Sequence, residues 1–340
     1  MTTQFSIGNM TQAISDFVID ECCNKHDMLT IESTNGPDLG RYAGKPGRLD
    51  IANGSNSRTI AGYLDTQATS VGRHKDFVSV SYLLGASSVM RSGVERKWVN
   101  KRPFEIARDV TQGHGFCLEM DAYPYTIGLF VQHNESDWQL LCRLADEVGM
   151  ALIGTNTVIR MIDPSMEIRR RKSRPVAVYD VNKLDEYHIS ASPTPIGYEA
   201  RVFQGIDKWG TTFSVTANAG SSITLPAPEV VKSLGDALSA KERIERRRHR
   251  LYHANASMTF NPVLRSGTTI GLSNGSITNV WFITEARHTM KHGGSRTDLV
   301  LRRDADEQTS VVGTWRALQW PQPTLVQDRW VGSQRWEREL

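Results

Sequence analysis

Among the residues that could do chemistry in this sequence, the best-placed pair is acidic. Glu135 and Asp137 stand two residues apart at the start of a predicted helix, and two nearby carboxylates can serve as the acid and base of a hydrolase. Acidic residues are equally expected in the first turn of any helix, because they offset the positive end of the helix dipole. We prefer this second interpretation and predict that the chain has no catalytic residues.

The histidines and cysteines lack the spacing of a metal site. His288 and His292 are four residues apart, but a strand is predicted to end at Thr289, so they share no helical face. The sequence contains no H-E-x-x-H, C-x-x-C, G-x-S-x-G, Walker A or G-x-G-x-x-G motif, so we expect no metal and no cofactor. The four cysteines are too few for a disulfide framework and are expected to be reduced. They are Cys22, Cys23, Cys117 and Cys142.

Two basic runs interrupt a charge that is otherwise balanced, with a net value of +3 over 340 residues. Such a small excess does not indicate a dedicated nucleic-acid-binding protein. The simplest interpretation makes the runs a solvated linker and the exposed end of a helix. The alternative is non-specific contact with DNA phosphates. The arginines concerned are Arg169, Arg170, Arg171, Arg246, Arg247 and Arg248.

The last thirty residues have an irregular pattern and contain four of the eight tryptophans. Large aromatic side chains are costly to expose, and they often anchor contacts between proteins. The opposing interpretation is that they fold back onto their own domain. The candidate partner contacts are Trp315, Trp320, Trp330 and Trp336.

The elements that must position these residues are mainly strands. Before residue 89, short alternating apolar runs are separated by polar turns such as 24–27, which is typical of a small barrel or sandwich. Strand patterns resume after residue 175. A helical pattern interrupts them between about 228 and 252, and the polar, basic residues 167–174 are predicted to be a linker.

Residues 89–165 have a different pattern and predict a compact α+β unit. Pro103 is a favourable first residue for a helix. Ser136, followed by Gln139 three residues later, has the spacing of a capping box at the start of a second helix. Gly149 is the residue type expected just past the end of that helix.

Composition and the N-terminus exclude several classes. Hydrophobic residues make up 39% and charged residues 23%, which is ordinary for a soluble protein with a packed core. The N-terminus lacks a charged start followed by an apolar run, so no signal peptide is expected. No stretch approaches the roughly 18 apolar residues of a membrane span.

Three stretches carry a resemblance. Residues 131–149 are similar to the pattern Q-x-x-E-S-D-[WY]-x-[FL]-[LC]-x-R-L-A-x-x-x-G, and residues 98–110 to W-x-N-x-[TR]-P-x-x-I-x-x-x-[IV]. Residues 261–289 resemble a P-x-L-x-P-G segment followed by a strand ending in histidine, with Ser266 in place of the usual second proline. Together they resemble the phage tail hub family. It includes late control protein D, the baseplate hub, the siphophage tail-associated hub and the N-terminal region of the type VI secretion spike.

This resemblance implies a mainly β fold with an α+β insertion. Two related tube-type β-barrel domains are expected at 1–88 and 176–305, the second carrying the helical excursion at about 228–252. The inserted α+β domain and linker would occupy 89–175, and a Trp-rich C-terminal arm 306–340. The resemblance also implies a homotrimer whose six barrels match a hexameric tail tube.

The function that follows is a non-enzymatic structural one. We expect a tail-tip hub subunit, assembled in the host cytoplasm, that adapts the tube to a trimeric tip and lines the DNA channel with the basic residues above. The expected partners are the tail tube or distal tail protein, tip fibre or spike proteins, and DNA in transit. Two alternatives stay open: a tip-associated peptidoglycan-degrading enzyme, and an OB-like nucleic-acid-binding protein.

Overall fold

The computed structural model describes residues 2–34, 39–54, 56–71, 77–172, 174–191, 200–206, 209–217, 224–226, 231, 233–246, 252–275, 277–303, 328–331 and 335–338. Most of this chain is antiparallel β-structure with four α-helices among the described residues, so the predicted class is confirmed. None of the described helices is long and apolar enough to cross a membrane.

The first β region (residues 2–85) is a set of strands whose apolar residues alternate toward one core. The core side chains include Phe5, Phe17, Ile31, Leu49 and Leu83. The strands are β1 (Thr2–Ile7), β2 (Met10–Ala13), β3 (Asp16–Cys22), β4 (Met28–Thr34), β5 (Pro46–Asn53), β6 (Asn56–Val71) and β7 (Phe77–Gly85), and short 3-10 turns lie at Gly40–Tyr42 and Ala86–Arg91.

The inserted α+β unit (residues 96–171) packs two helices over small sheets. Their shared core includes Trp98, Ile106, Trp138, Leu141 and Ile159. The elements are β8 (Arg96–Lys101), α1 (Pro103–Gln112), β9 (Cys117–Met120), β10 (Ile127–Gln132), α2 (Asp137–Glu147), β11 (Ala151–Gly154), β12 (Val158–Ile162) and α3 (Pro164–Arg171).

The predicted ends of α2 are confirmed. The backbone N–H of Gln139 donates to Ser136 Oγ at 3.2 Å, and the N–H of Ser136 donates to Gln139 Oε1 at 2.9 Å. Each end of the capping box thus satisfies a backbone donor that the helix itself leaves unpaired. Gly149 follows with a φ of 70°, a left-handed conformation that glycine adopts without steric cost.

The linker predicted at 167–174 is wrong, because most of it belongs to α3. Asp163 caps that helix: its Oδ1 accepts from the backbone N–H groups of Ser165 at 2.9 Å and Met166 at 3.2 Å. Pro164 occupies the first helical position. This Asp-Pro pair is a helix start signal, and the neighbouring run of arginines obscured it.

The second β region (residues 178–191 and 252–303) encloses a hairpin–helix unit (residues 200–246) between two of its strands. A 3-10 turn lies at Val181–Lys183. The elements are β13 (Val178–Asp180), β14 (Glu186–Ala191), β15 (Ala200–Ile206), β16 (Thr212–Ala217), β17 (Thr224–Pro226), α4 (Leu234–Arg246), β18 (Tyr252–Thr259), β19 (Thr269–Asn274), β20 (Ile277–Lys291) and β21 (Gly294–Arg303). In the hairpin–helix unit, α4 packs its alanines on the hairpin through a core of Phe203, Val215, Ala217, Ala237 and Ala240.

The two β regions share one sheet. Strand β3 pairs antiparallel with β20, with Phe17 opposite Met290 and Cys22 opposite Glu285. The full order is β14-β18-β21-β20-β3-β4-β7-β6-β5-β1-β2, with β19 on β20 and β13 on β19. Among the described residues this path does not close, so the strands form one continuous sheet and not the two closed barrels expected. The shared β3–β20 pairing is the physical reason.

The C-terminal segment is not irregular throughout. Strands β22 (Asp328–Val331) and β23 (Arg335–Arg338) form an antiparallel hairpin. The irregular pattern predicted for the last thirty residues is therefore wrong at these two short segments. Alternation over four residues is too brief to be read reliably from sequence.

Candidate assembly surfaces and buried junctions

The first basic run lies on the surface at the end of α3. Arg170 Nη1 is 2.6 Å from Asp121 Oδ1, and Arg171 Nε is 3.3 Å from Glu167 Oε1. Arg169 is likewise exposed. Arg170 and Arg171 therefore form ion pairs with neighbouring carboxylates at the end of α3 while their side chains stay exposed. That they line a channel stays a prediction.

Arg246, in the second basic run, lies in the interior. Its side chain is 7% exposed. Its Nη2 donates to the Ala122 carbonyl at 2.9 Å, and its Nη1 is 3.6 Å from Asp163 Oδ2. This burial makes Arg246 a link between α4 and the inserted α+β unit, and the prediction that Arg246 lines a channel is wrong. Arg247 and Arg248 lie outside the described residues.

Of the four candidate tryptophans, two lie in the C-terminal hairpin. Trp330 and Trp336 are paired in register across β22 and β23, which places them at the same level of the hairpin. Trp315 and Trp320 lie outside the described residues. The prediction that the four tryptophans contact a partner stays untested by this geometry.

The two carboxylates that could form a hydrolase pair are held by protein side chains. Glu135 is bonded by Arg143, with Nε to Oε2 at 3.2 Å. Asp137 is buried, and burial alone would raise its pKa, but hydrogen bonds from Gln132 and the His114 ring, with the charge of Arg96, hold it below its usual value. Both carboxylates therefore take part in the packing at the start of α2. The Asp137 carboxylate contacts Gln132 Nε2 at 2.7 Å, His114 Nε2 at 2.7 Å and Arg96 Nη1 at 3.0 Å.

The polar turn after β3 joins the first β region to the inserted α+β unit. Asn24, at a φ of 64°, donates its N–H to the Leu152 carbonyl at 2.8 Å and accepts from the Leu152 N–H through Oδ1 at 2.8 Å. Asn24 thus pairs with Leu152 of β11 as a residue of a neighbouring strand would.

His26, in the same turn, also contacts the inserted α+β unit. It stacks on Trp138 with ring centroids 4.6 Å apart, and its Nδ1 lies 2.9 Å from Ser87 Oγ. Burial lowers the pKa of His26 to about 4.

A buried ion pair lies behind this turn, and sequence reasoning missed it. Arg58 Nη1 donates to Glu21 Oε2 at 2.8 Å and to the Pro262 carbonyl at 3.1 Å, and its Nη2 donates to the other Glu21 oxygen. His288 Nε2 lies 3.7 Å from Glu21 Oε2 and 2.8 Å from the Leu264 carbonyl. Burial alone would raise the pKa of Glu21, but Arg58 and His288 hold it at about 2.

This pair lines one wall of a cavity of about 260 Å³ where three parts of the protein meet. Asp27 and Arg58 come from the first β region, Asn156 from the inserted α+β unit, and Arg265 from the second β region. Burial and the nearby charge of Glu21 raise the pKa of Asp27 well above its ordinary value. We call this place the three-way junction. No local sequence motif predicts this junction, because its residues come from distant parts of the sequence.

A second junction joins α4 to the inserted α+β unit. Arg243 Nη1 is 2.6 Å from Glu147 Oε1, and the Tyr123 hydroxyl donates to the Ser239 carbonyl at 3.1 Å. A Cβ on Gly149 would lie 2.8 Å from the Arg246 Cβ. Gly149 therefore has a role beyond ending α2: its missing side chain lets α4 approach.

Comparison with known proteins places this fold. No protein-family model matches the sequence, and no curated protein matches it. Solved structures do. The tail protein from Neisseria meningitidis MC58 superposes with a TM-score of 0.66 at 12% identity, over 89% of this chain and 96% of that one. The 43 kDa tail protein of prophage MuSo2 from Shewanella oneidensis gives 0.63 at 14% identity, over 91% and 100%.

A component of the E. coli type VI secretion system gives a TM-score of 0.58 at 12% identity, over 89% of this chain and 77% of that one. The fold is therefore that of phage tail proteins and their type VI secretion counterparts. The resemblance carried by residues 98–110, 131–149 and 261–289 is thereby confirmed at the level of a mainly β tail-protein fold, without the two closed barrels that it also implied.

Proposed function

We propose that this chain is a non-enzymatic structural subunit of a phage tail tip, a hub that adapts a hexameric tube to a trimeric tip. The observation that carries the proposal is the length of the fold match, which spans 96% of one tail protein and 100% of another. The same matches cover 89% and 91% of this chain, which leaves too few residues outside them for a separate catalytic domain. The domain division into 1–88, 89–175, 176–305 and 306–340 belongs to the same proposal.

The continuous sheet suits such a role. Strands β14 and β2 end the hydrogen-bonded path in the described chain, and terminal strands offer unpaired backbone groups to a neighbour. Three copies in a ring would cover these edges by a closed, symmetric arrangement. In the proposed particle, the tube or distal tail protein, tip fibres or a spike would be the neighbours, and DNA would pass through the ring.

Two measurements test this proposal. Light scattering on the purified chain should give three times the chain mass of 38.0 kDa. Gold-labelled antibody against the chain should mark the tail tip of the particle that carries it. Labelling on the head or along the whole tail would contradict the proposal. A monomer that stays monomeric with its tail neighbours present would contradict the trimer alone.

A further inference from the structure

The cavity at the three-way junction is lined mainly by polar and charged residues. With a volume of about 260 Å³, it is large enough for a small ion together with water. Four charged residues line it: Glu21, Asp27, Arg58 and Arg265. Glu21 and Arg58 neutralise each other through their ion pair. The net charge at the cavity therefore depends on Asp27 and Arg265.

Asp27 does not offset the charge of Arg265. Burial and the nearby charge of Glu21 raise the pKa of Asp27 well above its ordinary value, which favours the neutral form of its carboxyl group. Arg265 forms no ion pair with the residues that the structure describes. Partial burial and the charge of Arg58 lower the pKa of Arg265, but a guanidinium still stays protonated near neutral pH. Within the described chain, one positive charge at the cavity thus has no partner.

The backbone turn that carries Arg265 is fixed by the protein itself. Thr268 Oγ1 donates to the Arg265 carbonyl at 2.7 Å, and the Gly267 N–H donates to the Ile283 carbonyl at 2.8 Å. Gly267 has a φ of 76°, and a Cβ there would lie 2.7 Å from Ile153 Cδ1. Glycine therefore lets the turn pack closely on β11. Because this backbone is already ordered, little of its freedom is lost when a ligand binds.

Ser266, the next residue of the turn, supplies a second donor. It is 4% exposed and lines the cavity. Its hydroxyl forms no hydrogen bond with the described residues, although buried polar groups usually have a partner. The planar guanidinium of Arg265 can bind two oxygens of one anion side by side. An oxyanion therefore suits this pair of residues better than a halide does.

We propose that the three-way junction binds a small oxyanion of the sulfate or phosphate class. The Arg265 guanidinium contacts two oxygens of the anion and supplies the opposite charge, and the Ser266 hydroxyl donates to another oxygen. The bound anion fills space between three parts of the protein and stabilises the folded chain. This site requires neither the trimer nor the tail location proposed above, so its failure and theirs are separate results.

Isothermal titration calorimetry of the full chain with sodium sulfate tests the proposal, and sodium chloride at equal ionic strength is the control salt. We expect one sulfate per chain and no comparable heat from chloride. Arg265→Gln should weaken sulfate binding at least about tenfold, and Ser266→Ala about threefold. Arg287→Gln is the matched control and should bind like the parent chain. Arg287 is 59% exposed and does not line the cavity.

Two further variants separate binding from folding and charge. Arg265→Lys keeps the charge but loses the planar guanidinium, so its affinity for sulfate should lie between those of the parent chain and Arg265→Gln. Asp27→Asn should change the affinity by less than about threefold, because the carboxyl group is already neutral. Circular dichroism of Arg265→Gln should match the parent chain, since Arg265 is exposed.

Three outcomes would overturn the proposal. The first is a parent chain that binds no sulfate. The second is binding that Arg265→Gln leaves unchanged or that Arg287→Gln weakens equally, because sulfate would then respond only to surface charge. The third is a gain of about tenfold in Asp27→Asn, which would show that a charged Asp27 already neutralises Arg265.

Discussion

The two junctions of the inserted α+β unit each bury an arginine beside a carboxylate, but the pairs are built differently. At the three-way junction, Arg58 contacts both oxygens of Glu21. At the α4 junction, Arg246 comes only to 3.6 Å from Asp163, and the other Asp163 oxygen caps α3. The carboxylate pKa values move in opposite directions as a result: that of Glu21 falls to about 2, and that of Asp163 rises.

This difference shows that burial alone does not decide what an ion pair contributes. Burial opposes the charged form of both carboxylates. For Glu21, two hydrogen bonds from one guanidinium and the nearby His288 outweigh it. For Asp163, the distant Arg246 and two backbone donors do not. We therefore expect the three-way junction to depend strongly on its ion pair and the α4 junction to depend on it weakly.

The largest expected effect comes from breaking the first pair. Arg58→Met leaves the buried Glu21 carboxylate uncompensated, which should cost about 3–5 kcal/mol of the free energy of unfolding. Denaturant unfolding followed by tryptophan fluorescence measures it. The matched control is Arg48→Met, because Arg48 pairs with Asp50 on the same β5–β6 hairpin but is 62% exposed. That change should cost less than about 1 kcal/mol. Equal losses would mean that the Arg58 pair is no different from a surface pair.

The second prediction concerns acid. The pKa of Glu21 falls on folding from its ordinary 4.5 to about 2. A depressed carboxylate pKa adds stability above the unfolded value, and that stability is lost as pH falls from about 4.5 toward 2. The contribution is about 3 kcal/mol. The difference in unfolding free energy between the parent chain and Glu21→Gln should therefore shrink by about that amount between about pH 6 and pH 2. A constant difference would contradict the ionised pair.

The sequence predicted elements far better than junctions. The residues that cap α2 act on backbone groups a few positions away in sequence, so Ser136, Gln139 and Gly149 could be identified from spacing alone. Glu21 and Arg58 lie on separate strands of the first β region and His288 lies in the second, so they meet only in the folded chain and no local pattern relates them. Arg246 shows the same limit, because its burial could not be predicted from its neighbours in sequence. Its sequence neighbours are basic, which predicts exposure, yet packing of α4 buries it.

A smaller effect is expected from breaking the second pair. Arg246→Met removes a hydrogen bond to Ala122 and the contact with Asp163, whose Oδ1 keeps its two backbone N–H donors at the start of α3. The loss should be about 2 kcal/mol and confined to the α4 junction. Amide hydrogen exchange should quicken in α4 while β3 and β6 keep their protection. Faster exchange in β3 as well would show that the two junctions unfold together.

The smallest effect should come from neutralising Asp163 itself. In Asp163→Asn the side-chain oxygen can still accept from the N–H groups of Ser165 and Met166, so the cap of α3 is kept. The buried charge is removed, and Arg246 keeps Glu242, whose Oε1 is 2.9 Å from its Nε. The unfolding free energy near pH 7 should then change by less than about 1 kcal/mol.

Asp163→Ala is the control for that change, because it also removes the cap and should cost about 1 kcal/mol more than Asp163→Asn. Both are measured by denaturant unfolding under the same conditions. If Asp163→Asn lowers the free energy of unfolding as much as Arg58→Met does, the two junctions do not differ in this respect. The charge of Asp163 would then matter as much as the charge of Arg58. A small loss would mean that Asp163 contributes through its hydrogen bonds to α3. The Glu21–Arg58 pair, which joins the first β region to the second through Pro262 and His288, would then be the ion pair on which a junction depends.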